Sequence, residues 1–304
     1  RVALCTDDRQ PPELLDEGGI DAMVRVLIRE GMPPVEAIRL ATLNPAEHFG
    51  LRDRGAIGPG RRADLLVVEE LTDLVVDEVF VEGKPVAAGG LPRDWRIPAP
   101  PAPPSPSMNV DWKGMDLRIP GKKGRIRVIQ AVADQIVTGA LEMEPTLREG
   151  EVVADPERDL LKMVVVERHT GSGNVGLGLV TGMGLREGAM AGTVAHDHHN
   201  IVAMGVDDAS ILLAIRSVAE MGGGLAVIRG GETVARLPLP VAGLMSLEPI
   251  EDVRKDLDRV VQAARGLGSP LHDPFMAMSF LALEVIPSLK LTDQGLVDVE
   301  RFQP

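Results

Sequence analysis

Two short stretches of this sequence hold residue types that could do chemistry. The first is Cys5-Thr6-Asp7-Asp8-Arg9. A divalent cation lowers the pKa of a bound water, and a nearby carboxylate can orient that water and accept its proton. Asp7, at the end of an apolar run, is placed where a carboxylate could take that part. Asp8 is a candidate neighbour in the same site. The competing reading is that Thr6-Asp7-Asp8 merely caps a loop. The second stretch is Ala195-His196-Asp197-His198-His199-Asn200, the densest set of ligand-type side chains in the chain. On a strand, His196 and His198 would point one way and Asp197 and His199 the other, so two could share a metal ion. The alternative is a polar loop at a strand junction with one histidine satisfied in the core. His48, His169 and His272 stand isolated in sequence and read as structural.

The elements that must position these residues follow from periodicity. Val2 to Cys5 reads as a short strand buried on both faces, with Cys5 a small buried apolar residue rather than a reactive thiol. Ile20, Met23, Val24, Leu27 and Ile28 recur at three- and four-residue spacing, which predicts a helix between Gly19 and Gly31. A second helix begins at Pro34. A strand followed by helices fits the last β/α unit of a (β/α)₈ barrel, where a carboxylate at the strand's C-terminal end is well placed for catalysis. From Ala41 to Val68 the chain reads as a short helix, a glycine-rich turn and a buried strand. Asn44 is the expected N-cap, Pro45 the first helical residue and Gly50 the stop. Strands over 64–69, 72–76 and 79–81, with a turn at Glu82-Gly83-Lys84 and a return at Pro85–Ala88, predict a small antiparallel domain.

The composition then changes. Residues 98–106, PAPPAPPSP, read as an extended spacer rather than a docking motif. Beyond it, strands are expected over 125–138, 160–168, 174–185, 190–195, 201–204 and 296–299. The alternation of glycine with apolar residues over 174–185 implies close backbone packing. Asp207 or Asp208 should cap a helix running to Met221, Gly230-Gly231 should turn a hairpin, and residues 251–266 form an amphipathic helix. The domain boundaries expected are 1–52, 53–95, a linker over 96–109, and 110–304.

At 304 residues the chain can bury a sizeable core. A formal net charge of −13 argues against nucleic acid or an anionic membrane as partner. No apolar run reaches the roughly 18–20 residues of a membrane span. One cysteine precludes an internal disulfide, which suits a reducing cytoplasm. Gly222-Gly223-Gly224 follows a helix rather than opening one, and Gly171-Ser172-Gly173 opens none, so neither reads as a phosphate-cradling loop. The start at Arg1, directly in an apolar run, suggests the C-terminal part of a longer polypeptide.

Residues 41–68 contain T-x-N-P-A, then G-L, then G-x-I-x-P-G-x-x-A-D-L, which resembles the C-terminal signature of the amidohydrolase superfamily. The wider chain resembles the C-terminal half of the bacterial adenine deaminases. The carrying segments include CTDDR, PVEAIRLATLNPAEHFGLRDRGAIGPGRRADLLVV, GNVGLGLVTGMGLREGAMAGTVAHDHHNIVAMG and FMAMSFLALEVIPSLKLTDQGLVDV. The resemblance implies an α/β architecture: the last β/α unit of a metal-dependent (β/α)₈ barrel, a small antiparallel β-domain and a C-terminal α+β domain. It further implies hydrolytic deamination of adenine to hypoxanthine and ammonia, assisted by Mn²⁺, Fe²⁺ or Zn²⁺, with Asp7 binding metal and shuttling a proton. His196, Asp197, His198 and His199 would sit near the barrel mouth, where neutral imidazoles make good purine contacts. The family's first-strand H-x-H pair and middle-strand ligands have no counterpart here, so an N-terminal barrel half must supply them and residues 1–304 alone should be inactive. A homo-oligomer is expected. Two other readings stand beside this one: a non-catalytic assembly or lid module, and an amidohydrolase for another cyclic amidine or amide.

Overall fold

Pro11 and Pro12 open α1 (Pro11–Asp16), where a proline's missing N–H leaves no intrahelical bond unmade. Three further helices follow in the computed structural model: α2 (Ile20–Arg29), α3 (Pro34–Ala41) and α4 (Leu43–His48). The structure describes residues 2–93, 107–121, 124–301 and 303, so the proline-rich stretch 98–106 lies outside the described residues. The chain divides into two units, residues 1–100 and 101–304. In the first, the apolar stripe of α2 and α3 buries Ala22, Val24 and Ala37. A meander of four antiparallel strands completes it, in sheet order β1 (Leu65–Val68), β2 (Val76–Val81), β3 (Lys84–Ala88) and β4 (Leu91–Pro92).

Several local expectations change here. Val2–Cys5 is not a strand: a strand exists by pairing, and no described strand lies beside it. Val2 is 63% exposed and Cys5 is exposed. The run is instead tied by Leu4 N–H donating to Leu40 O at 2.9 Å. Asn44 does not cap α4, which starts one residue before it; its side chain donates to Val2 O at 2.7 Å. Strand β1 is paired but not buried, with Leu66 56% and Val67 44% exposed. Residues 72–74 form a turn rather than a strand, because Leu74 takes a positive φ and drops into the core beside Val24 and Ala37.

The second unit begins with β5 (Ile119–Pro120), β6 (Ile126–Ala131), β7 (Thr138–Met143), β8 (Thr146–Arg148) and β9 (Glu151–Val153). It continues through β10 (Leu161–Val166), β11 (Val175–Thr181), β12 (Ala189–Gly192), β13 (Ile201–Gly205), α5 (Asp208–Glu220), β14 (Gly224–Arg229) and β15 (Glu232–Pro238). Helices α6 (Ile250–Gly266) and α7 (Pro274–Phe280) and the hairpin β16 (Leu289–Thr292) and β17 (Gly295–Asp298) complete it. Eight strands form one sheet in the order β15-β14-β12-β13-β10-β11-β6-β7, antiparallel except for the parallel pair β6 and β11. Residues 125–138, expected as one strand, divide into β6 and the start of β7 around Asp134 at φ +56°.

Strand β10 shows why this unit is layered. All six of its residues are buried, and its side chains alternate between two cores. Val164 and Val166 pack with Ile211 and Ile215 of α5, while Met163 and Val165 pack with Val260 of α6, Phe275 of α7 and Leu291 of β16. Helices therefore cover both faces of the sheet. The glycine pattern on β11 has the expected cause: a Cβ on Gly176 would stand 1.8 Å from the Thr292 carbonyl oxygen, so only glycine lets the β16–β17 turn cross there. Thr138 secures that hairpin from the far side, its Oγ1 donating to Leu289 O at 2.8 Å and accepting from Ser288 N at 3.1 Å.

Candidate functional site

The AHDHHN segment connects β12 to β13, two strands buried along their whole length. Residues 196–198 form a turn rather than a strand, so the alternation expected from sequence does not apply. The His199 N–H donates to Ala195 O at 2.7 Å and closes the turn, with His199 at φ +51°. The ring of His196 stacks on Phe280 of α7 at 4.7 Å and lies 6.3 Å from the ring of His199. His198 places Nε2 2.5 Å from Glu284 Oε1. Asp197 is exposed. The structure therefore groups His196 with His199, and His198 with Glu284. His169, isolated in sequence, joins the same cluster through Nε2 at 2.8 Å from His198 O.

Two neighbours at the end of β10 hold the cluster, Arg168 through the loop that carries His199 and Glu167 through residues 169–172, and sequence reasoning assigned neither a role. Arg168 is 1% exposed. Its Nε donates to His199 O, one terminal nitrogen to Ser107 O and Oγ at 3.0 and 2.9 Å, and the other to Ala242 O at 2.9 Å. One guanidinium thus joins three segments through its planar fork of donors. Burial moves its pKa down, against the charge of Glu167. Glu167 accepts from the backbone N–H of His169, Thr170 and Ser172 at 2.5, 2.8 and 3.0 Å, and from the hydroxyls of Thr170 and Ser172. Burial alone would raise its carboxyl, but those donors outweigh it and take the pKa down to about 2. The signal available in sequence was the abrupt Glu-Arg-His at the end of the apolar run MVVV.

A carboxyl held below its ordinary value stabilises the fold above that value and loses the contribution as the pH falls from about 4.5 through about 2. Glu167→Gln is therefore expected to cost about 2 kcal/mol at neutral pH, with the gap to the unsubstituted protein closing as the pH approaches 2. Urea unfolding of both proteins at pH 7 and pH 3 measures this, and an equal gap at the two pH values would contradict it.

The electrostatics of the cluster favour neutral imidazole at His199. Burial lowers its pKa, and the nearby His196 and Arg168 add to that effect. The side-chain atoms Asn200 Oδ1, His199 Nδ1 and Glu284 Oε2 are buried and make no hydrogen bond among the described residues. The Asn200 amide donates to Asp293 Oδ1 at 3.2 Å, which leaves its oxygen as an acceptor. The cluster thus gathers the stacked rings of His196 and Phe280, an imidazole whose pKa is lowered, and two buried acceptors without a hydrogen-bond partner among the described residues.

In the first unit, Asp7 and Asp8 are exposed. Asp7 has φ +52°, a conformation that aspartate and asparagine tolerate better than most residues. Arg9 N–H donates to Asp7 O at 2.9 Å, and the Arg9 guanidinium, largely buried, pairs with Glu17. Among the described residues, no group of three His, Cys, Asp or Glu side chains could hold a metal ion. The described residues thus do not fit a complete metal centre. No described helix is long and apolar enough to cross a membrane.

Comparison with known proteins draws the two units into one family context. The amidohydrolase family matches residues 1–86, and the adenine deaminase C-terminal domain matches residues 135–303. The chain is 52% identical over 302 residues to an adenine deaminase of Desulfatibacillum aliphaticivorans, covering 99% of this chain and 53% of that protein. It is 45% identical over 302 residues to an adenine deaminase of Methanothrix thermoacetophila, again covering 99% and 53%. An adenine deaminase 2 of Carboxydothermus hydrogenoformans is 43% identical over 304 residues, with the same coverage. The chain spans about half the length of these curated relatives. Since the second match alone takes in more than half of the 304 residues, the chain belongs to the adenine deaminase C-terminal domain family.

Proposed function

We propose that this chain is the C-terminal portion of an enzyme that hydrolyses adenine to hypoxanthine and ammonia. One observation carries the reading: an amidohydrolase match over 1–86 and an adenine deaminase C-terminal domain match over 135–303 occur in order on one chain. In this reading residues 1–52 end a (β/α)₈ barrel, 53–95 form its small β-domain, 96–109 link, and 110–304 form the C-terminal α+β domain. Asp7 supplies a carboxylate to the reacting water. His196, Asp197, His198 and His199 line the site, with Asp8 beside Asp7. A divalent metal, Mn²⁺, Fe²⁺ or Zn²⁺, takes its remaining ligands from an N-terminal barrel half outside residues 1–304. The enzyme works in the cytoplasm, in purine salvage or catabolism, as a homo-oligomer.

A substrate panel tests this. The longer polypeptide that carries residues 1–304 should release ammonia from adenine and not from adenosine, cytosine or hydantoins, while residues 1–304 purified alone should release none. Turnover of another panel member in place of adenine would overturn the substrate. Turnover by the segment alone would overturn the shared site. A second reading, a non-catalytic assembly or lid module, draws on the separate core of residues 101–304. Normal turnover with an altered oligomeric state, after deletion from about residue 107 onward, would favour it.

A further inference from the structure

From Pro274 to Leu289 the sequence carries one charged residue, Glu284, which interrupts the apolar run Leu281-Ala282-Leu283-Glu284-Val285-Ile286. Burying such a run does not call for a carboxylate. Glu284 Oε2 is buried without a hydrogen-bond partner among the described residues, an arrangement that folded proteins avoid unless something else requires it. The other oxygen, Oε1, meets Nε2 of His198 at 2.5 Å. Partly exposed pairs of this kind add little to stability, so stability does not explain why the carboxylate is there.

Both partners stand on fixed supports. On the carboxylate's side, Leu281, Ala282 and Leu283 are buried. Leu281 O accepts from Leu291 N of β16 at 3.0 Å, and Phe280 O accepts from Nζ of the buried Lys290 at 2.8 Å. On the histidine's side, His198 O accepts from His169 Nε2 at 2.8 Å, and Arg168 holds the next carbonyl, that of His199. The segment 280–284 thus grips the loop twice, Phe280 stacking on His196 and Glu284 bonding His198. An ionised carboxylate can only accept, so the proton in the second contact belongs to Nε2 of His198. In a neutral imidazole that assignment leaves the lone pair on Nδ1, and the bond also fixes which way the ring faces.

We propose that Glu284 is a positioning residue of the site, fixing the ring of His198 so that Nδ1 presents an acceptor lone pair to a non-reacting N–H of the substrate, such as the ring N–H of adenine. This rests on the reading above in which His198 lines the adenine site. A hydrogen bond to an N–H that takes no part in the reaction is worth the same in the ground state and the transition state. It therefore acts on KM rather than on kcat.

Steady-state kinetics of the longer polypeptide on adenine test it, with Glu284→Leu, Glu284→Gln and His198→Leu. Glu284→Leu should raise KM roughly tenfold and leave kcat within about threefold. Glu284→Gln keeps the shape, and its amide can accept from Nε2 or donate to it, so its KM should fall between the two. It also serves where leucine disturbs folding. Because Glu284 acts through His198, adding Glu284→Leu to His198→Leu should leave KM where His198→Leu alone puts it, whereas independent effects would add. Nitrogen-15 NMR of the histidine-labelled chain should show His198 with its proton on Nε2, and a mixture of both tautomers after Glu284→Leu. A proton on Nδ1 in the unsubstituted chain, an unchanged KM in Glu284→Leu, or additive effects in the double variant would each overturn the proposal. If the unsubstituted longer polypeptide does not act on adenine, the substrate reading falls, and the NMR result alone decides whether Glu284 sets the ring.

Discussion

Replacing Asp7 by asparagine in the longer polypeptide is expected to lower adenine turnover on the order of 10³-fold. The substitution keeps the size and one carbonyl oxygen but removes the charge and the ability to accept a proton. It should leave the local backbone intact, because asparagine adopts the left-handed conformation of Asp7 as readily as aspartate does. Alanine there would confound the experiment, since a Cβ without a polar side chain is strained at φ +52°. The readout is ammonia release from adenine beside the unsubstituted protein, both with Mn²⁺ added, with thermal midpoints measured alongside. Turnover within a few-fold of the unsubstituted protein would remove Asp7 from the chemistry. If neither protein acts on adenine, the substrate assignment falls and a more general amidohydrolase reading is left.

The largest expected effect on stability belongs to Arg168. Arg168→Met should cost on the order of 4 kcal/mol, because the carbonyls of Ser107, His199 and Ala242 would all lose a charged donor in a buried setting. Lysine should recover little of this. Its single ammonium cannot reach three carbonyls set around a planar fork, and the guanidinium lies against Gly243, where an added Cβ would stand 2.9 Å from it. Urea unfolding of the chain measures the loss, and a cost below about 1 kcal/mol would contradict the account. The same variant should loosen the turn that carries His199, making hydrogen exchange at the His199 amide a second readout.

What was legible in the sequence was whatever depends on near neighbours. Helix α5 was readable because Ile211, Ile215 and Val218 recur along one stripe and Asp207 caps it, accepting from Ser210 N at 2.8 Å. The glycines of β11 signalled a close crossing, although nothing local said that Thr292 made it. Some short elements were missed. Helix α7 has seven residues, too few to establish a period, and its hydrogen-bonding cap at Asp273 does not stand out beside other polar residues. The run Val2–Cys5 was read as a strand from apolar character alone, which carries no information about a partner. Arg168 was invisible as an organiser because its acceptors lie 31, 61 and 74 residues away and two of the three are backbone carbonyls only. The histidine segment was correctly marked as dense in ligand-type groups, but a turn at residues 196–198 reassigned which rings face each other.

The clasp between Thr138 and the β16–β17 hairpin has a consequence for how the second unit is made. Its hydrogen bonds join residues about 150 positions apart, and Leu289 and Leu291, at 1% and 0% exposure, close the larger core. A chain emerging from the ribosome therefore has most of its apolar strands in hand well before the piece that seals them. Folding of this unit waits for the hairpin to clear the exit tunnel, and the non-local closure makes the final step slow relative to helix formation. During that interval Met163, Val165 and their neighbours lack the native packing that Leu289 and Leu291 supply, and their apolar surface is open to other chains.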